Sequence, residues 1–238
     1  MTDERAICAA LNNADLYEAV FSVHGLGYQR KTWAFVARDD PPPYYSNLTT
    51  LSPQGGASVL RDLRRLSVQF KGVLNVKDSF CRLDLAANGF QTLFQASWIW
   101  REPKQVAMAD GWDIVRKPGD LTLWEEGWKS FGSPAQKRIF PQAFLSLGDV
   151  VVIGQKVDGR FVAGCIANRS ENCIGLSNVF AKMPSAEQFS MAATAAAAPF
   201  ECLPVVGYEA GAGLTYARQC GFETTGKLRI LRALNARF

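Results

Sequence analysis

Glu209 closes the apolar run 203–209 and is followed, after Ala210, by Gly211-Ala212-Gly213. A carboxylate at the end of a strand can accept a proton from a bound group, directly or through one water. The same residue can equally be a surface or capping carboxylate beside the glycines. Few other side chains offer reaction chemistry. His24 is the only histidine. It stands in His-Gly-Leu-Gly after a helical stretch, where a loop or capping role is expected. A single histidine excludes a His-based zinc site and weakens any Ser-His or Cys-His mechanism. Cys8, Cys81, Cys165, Cys173, Cys202 and Cys220 form no Cys-x-x-Cys pair and no cluster with the histidine. No metal site is expected from them, and they read as reduced, buried thiols.

The bulk of the chain narrows the classes further. Its 238 residues suit one large domain or two small ones, and a hydrophobic share of 48% is enough for a substantial core. The first residues, MTDERAICAALNN, carry acids and lack an apolar stretch, so no signal peptide is read there and a cytoplasmic location is expected. No apolar run reaches the length of a membrane span. The net charge of +4, with acids and bases interspersed, is too mild to predict nucleic-acid binding.

Holding a reactive group in place needs a scaffold, and the chain describes one twice. Tyr45-Ser46-Asn47-Leu48 ends one extended run and Leu176-Ser177-Asn178-Val179 ends another. Asn88-Gly89-Phe90 closes one short helical segment and Cys220-Gly221-Phe222 another. The offsets are 131 (178 − 47) and 132 (221 − 89). Between the markers each copy reads as a helix (56–70 and 185–198), an apolar strand (73–76 and 203–206) and a second helical segment. A further strand follows (92–100 and 224–231). Repeated order predicts two related α/β units in tandem, residues 1–103 and 104–238. The polar stretch 104–118, with Gly111 and Pro118, is the expected boundary.

Local signals add detail. Asn13 is expected to cap a helix over 14–21. Residues 33–37 read as a strand. Ser52-Pro53 reads as an N-cap with proline at the first helical position. Val59, Leu63, Leu66 and Phe70 then form a core-facing stripe, and the charges of Arg61, Asp62, Arg64 and Arg65 fall mostly elsewhere. Leu121, Trp124 and Trp128 recur at i, i+3 and i+7, again a core-facing stripe. Asp158-Gly159 between two apolar runs predicts a hairpin. Ser185-Ala186-Glu187-Gln188 fits a capping box opening an alanine-rich helix, which Pro199 ends. Gly211-Ala212-Gly213 reads as a turn before a short helix over 214–220.

The element order of the second unit resembles the GNAT superfamily of acyl-CoA-dependent N-acyltransferases. The residues that carry the likeness are Asp158-Gly159-Arg160-Phe161-Val162-Ala163-Gly164 across the hairpin and Gly221-Phe222 after the short helix. It covers residues 111–232 and, as a shorter partial copy, 30–101. It implies an α/β (α+β) fold: a mixed, splayed sheet with flanking helices, in two tandem units. It also implies transfer of an acyl group from acetyl-CoA or another acyl-CoA to the amine of a small molecule or peptide. Such chemistry rests largely on positioning and a polarised thioester carbonyl.

In this family two parallel strands diverge to receive the pantetheine arm, and the pyrophosphate rests on bare N–H groups at the next helix N-terminus. The resemblance carries these roles to Val179 and Phe180 for the arm, and to Lys182, Ser185 and Ala186 for the phosphates. The family's Q/R-x-x-G-x-G/A loop falls on 180–188. That segment has no glycine and adds Glu187, with Lys182 as one compensating charge. In the first copy, 52–57 has Gly55 and Gly56 but not in the motif's register.

The family's acid, a tyrosine four residues before the Gly-Phe glycine, falls on Ala217, and on Leu85 in the first copy. Tyr216 lies one residue away, about 100° around a helix. Glu209 is the expected base, with Tyr216 or Tyr208 as substitute acid. Ser177 and Asn178, where the strands should diverge, are read as satisfying backbone groups. Trp98, Trp100 and Trp124 suit either an apolar acceptor cleft or the core. The alternative is a non-catalytic protein that keeps the scaffold as a ligand-binding or interaction module. The missing glycines and the out-of-register tyrosine favour it.

Overall fold

The computed structural model describes residues 2–238. By compactness the chain forms two units, one of residues up to 98 together with 225–238, the other of 99–224.

The first unit opens with helix α1, Glu4–Val23. Asp3 caps it by accepting the Arg5 N–H, well upstream of the cap expected at Asn13. Asn13 lies inside the helix, and its side-chain oxygen accepts from the buried ammonium of Lys77 at 2.7 Å. The apolar stripe settles the longer helix: Ala6, Ala9 and Ala10 are as buried as Leu16, Val20 and Phe21. Strands β1 (Tyr28–Arg30), β2 (Ala34–Ala37) and β3 (Leu48–Thr50) follow, then α2 (Gly56–Gln69), β4 (Val73–Asp78), a 3₁₀ turn over Ala86–Asn88, and β5 (Gln91–Arg101). β1, β2 and β3 pair antiparallel in sequence, and β3 runs parallel to β4.

α2 starts later than Ser52-Pro53 suggests. Gly55 is its N-cap, while the Ser52 hydroxyl accepts the Gln54 N–H at 3.2 Å and so closes a turn. Trp33 lies so close over Gly55 that a Cβ there would sit 2.5 Å from the tryptophan's own Cβ, and glycine is what lets the helix begin there. The stripe Val59, Leu63 and Leu66 is buried as the spacing predicts.

The second unit contains β6 (Trp112–Ile114), α3 (Pro118–Phe131), a 3₁₀ segment Gln142–Ser146, β7 (Val150–Val157), β8 (Arg160–Arg169), β9 (Ile174–Ala181), α4 (Ala186–Ala197), β10 (Val205–Glu209) and α5 (Gly211–Gln219). Its strand order is β10-β9-β8-β7-β6. Asp158 and Gly159 both have positive φ, +48° and +77°, as the tight hairpin between β7 and β8 requires. Leu121, Trp124 and Trp128 are buried on one side of α3. α4 packs Phe189 and its alanines against the sheet, where small side chains allow close approach. α5 begins at Gly211, so the glycines read as a turn belong to its first coil.

The last strand, β11 (Glu223–Leu234), was expected with the second unit. Residues 225–234 instead fall in the first unit, where 229–234 pair antiparallel with β4, from Arg229 opposite Asp78 to Leu234 opposite Val73. Leu231 and Ala233 are buried there with Leu63, Leu74 and Val76. Removal of that apolar surface from water holds the strand in the first unit. Among the described residues no helix is long and apolar enough to cross a membrane.

Candidate active site

In the second unit β9 and β10 run parallel but pair at two positions only, Ile174 opposite Val205 and Gly175 opposite Val206. Gly207 marks the last close approach, since a Cβ there would stand 2.6 Å from the Leu176 carbonyl oxygen. Beyond it the strands part. β9 stays hydrogen-bonded to β8 as far as Ala181 opposite Ala163, but only across a register shift between Gly164 and Ile166. Asn178 sits in this irregularity with φ +53°. A bulge of this kind bends a strand and re-aims its side chains. Ser177 serves the backbone as expected, its hydroxyl donating to the Ile166 carbonyl at 3.5 Å, while the Asn178 side chain donates to that hydroxyl at 3.1 Å and not to a backbone group.

The parted strands open on a cavity of about 370 Å³. Val179 and Phe180 form one wall, Phe131 from the end of α3 another, and Glu209 and Tyr216 bring in the polar groups. Glu209 is the last residue of β10. Gly213 leaves room for it, because a Cβ at that position would overlap the Glu209 carboxylate. Burial pushes the Glu209 carboxyl up to about 7, against the opposing effect of a hydrogen bond from the Ala210 N–H. It is therefore poised to hold or release a proton near neutrality. Tyr216 is half-buried on α5, and its hydroxyl donates to the Pro184 carbonyl at 3.4 Å. Ala217, where the family's acid would fall, is fully buried in the core, so the cavity side of α5 belongs to Tyr216.

Of the residues predicted from sequence, the cavity brings together Glu209, Tyr216, Val179, Phe180 and Ser185. Tyr208 precedes Glu209 on the same strand, so its side chain points to the opposite face. Lys182 and Ala186 do not line the cavity; Lys182 is exposed, and its N–H is engaged by the Val162 carbonyl at 2.7 Å. Ser185 caps α4 by accepting the Gln188 N–H at 3.1 Å. The capping box is only half made, since the Gln188 side-chain oxygen is buried without a partner. Phe131 and Gly213 were not read from the sequence. A glycine placed four residues after a candidate base was the available signal for Gly213; Phe131 carries none. Trp98 and Trp124 are core residues, donating to the Ser79 and Ile153 carbonyls.

At an offset of 131 from Asn178, Ala181 and Glu209 the first unit has Asn47, Thr50 and Asp78. There the strands are clipped shut. The Asn47 N–H donates to the Asn75 carbonyl, and the Asn47 side chain accepts the Asn75 N–H, both at 2.9 Å. The Thr50 hydroxyl accepts the Ser79 N–H at 2.8 Å and donates to the Lys77 carbonyl at 3.4 Å. Asp78 is buried, accepts the N–H groups of Arg82 and Leu83 at 3.0 Å, and pairs with Arg229 at 3.0 Å. At this offset Thr50 has a hydroxyl where Ala181 has only a methyl group, and Asp78 is ion-paired where Glu209 lines a cavity.

Neither a family model nor a curated protein matches the sequence. Solved structures do match the fold. A GCN5-related N-acetyltransferase from Kribbella flavida superposes with a TM-score of 0.62 over 94% of this chain and 95% of that one, at 12% identity. A GCN5-related N-acetyltransferase from Sphaerobacter thermophilus gives 0.53 over 97% and 91%, at 11% identity. A tandem GNAT protein from the clavulanic acid biosynthesis pathway gives 0.50 over 86% and 79%, at 11% identity.

Proposed function

We propose that this chain, whose fold is that of the GNAT N-acetyltransferases, transfers an acyl group from an acyl-CoA to the amine of a small molecule or peptide. The second unit carries the reaction. One observation supports this above the others: parallel strands part beside a cavity that holds a desolvated carboxylate and a tyrosine hydroxyl together. The residues present fit the acyl-pantetheine end of the donor. The edge of β9 over 177–181 has no β10 partner, so its backbone groups can receive an extended amide-bearing arm as a further strand would.

The thioester supplies an activated acyl carbon. Glu209 accepts the proton that the amine sheds as its nitrogen forms the new bond, a role suited to a carboxylate titrating near neutrality. Tyr216 turns from the Pro184 carbonyl to protonate the departing thiolate. Tyr208, on the other face of β10, takes no part.

Thermal melting with and without acetyl-CoA tests the reading. A ligand at about 100 times its dissociation constant stabilises by about 2.7 kcal/mol. In a chain of this size that raises Tm by about 5–10 °C. Thiol release on adding primary amines then reports turnover. A chain that no acyl thioester stabilises, and that releases no thiol, is the non-catalytic module instead. The opening of α4 favours that second reading: Pro184 has no N–H to give, and Glu187 places a negative charge in the first turn.

A further inference from the structure

We infer that the site recognises its acyl donor by the pantetheine arm, and that the pyrophosphate and nucleotide of CoA add little to binding. The inference rests on the acyltransfer reading and narrows its donor to an acyl-pantetheine thioester, free or carried on a phosphopantetheine-bearing protein.

The arm's end of the site is built. Its cavity has aromatic and aliphatic walls at Phe131, Val179 and Phe180, and the β9 edge is open along it. The phosphate end is incomplete. An anion at a helix N-terminus needs several converging N–H groups, and glycines that let the backbone come close. Before α4, the Lys182 N–H is committed to the Val162 carbonyl and Pro184 has none. Within α4, the Gln188 N–H is taken by the Ser185 hydroxyl and the Phe189 N–H by the Ser185 carbonyl. That leaves the N–H groups of Ala186 and Glu187 in the first turn and of Met183 and Ser185 before it, with no glycine to bring the backbone close. Glu187 adds a carboxylate in the first turn, opposite in sign to the one nearby cation in sequence, Lys182. The Tyr216 hydroxyl bonds across to Pro184, tying α5 to the loop where a pyrophosphate would pass.

Each charge-assisted hydrogen bond to a phosphate is worth about tenfold or more in affinity, so a full cradle separates acetyl-CoA from S-acetylpantetheine by about 1000-fold. Isothermal titration of the full chain with acetyl-CoA, acetyl-dephospho-CoA, S-acetylphosphopantetheine and S-acetylpantetheine reads the separation here. We expect the four dissociation constants to fall within about tenfold of one another, with little dependence on salt. Acetyl-CoA binding more than about tenfold tighter than S-acetylpantetheine overturns the inference and leaves acyl transfer standing. If no pantetheine thioester binds, both readings fall.

A double variant, Pro184→Gly with Glu187→Gln, restores one N–H and removes one charge. It should tighten acetyl-CoA by about tenfold and leave S-acetylpantetheine unchanged; equal effects on both count against the inference. An acetylated carrier protein serves as the last arm. Binding tighter than free S-acetylphosphopantetheine identifies the protein-borne arm as the source, and equal binding identifies the free thioester.

Discussion

Replacing Glu209 by glutamine should make the protein more stable and less active at the same pH. The Glu209 carboxyl titrates at about 7 in the folded chain, against an ordinary value of 4.5, because burial beside α5 strips water from its charged form. A difference of this size corresponds to about 3 kcal/mol, which the water reaching a half-buried side chain trims to about 2 kcal/mol. The folded state prefers the protonated acid. That preference stabilises the fold fully below about pH 4.5 and is lost as pH rises through about 7. At pH 8 the wild type therefore holds a poorly solvated charge that glutamine removes. Glu209→Gln should raise Tm by about 4–8 °C at pH 8 and change it little at pH 4.5. Losing the base should lower kcat/KM by about 10²–10⁴-fold and abolish the limb of the pH profile that rises through pH 7. Scanning fluorimetry at the two pH values, with thiol release followed from pH 5.5 to 9, checks both halves. A variant that melts lower than wild type at pH 8 would show the carboxylate to be well satisfied. Undiminished turnover would remove Glu209 from the chemistry.

Three further perturbations probe the contrast between the two units. Ala181→Thr places in the second unit the hydroxyl with which Thr50 closes the first, and should weaken acetyl-CoA by about tenfold in titration calorimetry through lost room and a bridged cleft; unchanged affinity would show that this position does not keep the strands open. Asp78→Asn leaves Arg229 without its charge partner and should lower stability by about 3 kcal/mol in urea unfolding, with acetyl-CoA affinity unaltered; a loss of affinity would count against placing the site in the second unit. Tyr216→Phe removes only the hydroxyl bonded to the Pro184 carbonyl, and should cut kcat by about 10²-fold in the thiol-release assay with KM and Tm nearly unchanged; full activity would exclude it as the acid.

Features set by short-range physics could be read from the residues alone. Asp158-Gly159 made its hairpin because both residues tolerate positive φ. Ser185 capped α4, and the apolar stripes of α2 and α3 faced the core, because cap chemistry and helical spacing act within a few residues. The element order that resembles the GNAT fold was legible for the same reason. Glu209, Tyr216, Val179, Phe180 and Ser185 were legible as a set, since strand and helix ends gave their places in sequence.

Other features depend on contacts between segments far apart in the chain. Asp78 and Glu209 stand at equivalent offsets with similar chemistry, yet one is committed to Arg229, 151 residues away, while the other opens on a cavity. Nothing local distinguishes them, because the difference lies in which strand comes to rest beside β4. That Tyr216 lines the cavity with Glu209, and Tyr208 does not, likewise followed from the packing of β10 and α5. Whether two parallel strands stay together or part depends on register. Both parallel pairs bond at two positions, but in the first unit the Asn47 and Thr50 side chains add bonds across the pair, whereas in the second β9 carries a bulge at Asn178. Register is a property of two chain segments packed together, and a pattern in either segment alone does not carry it.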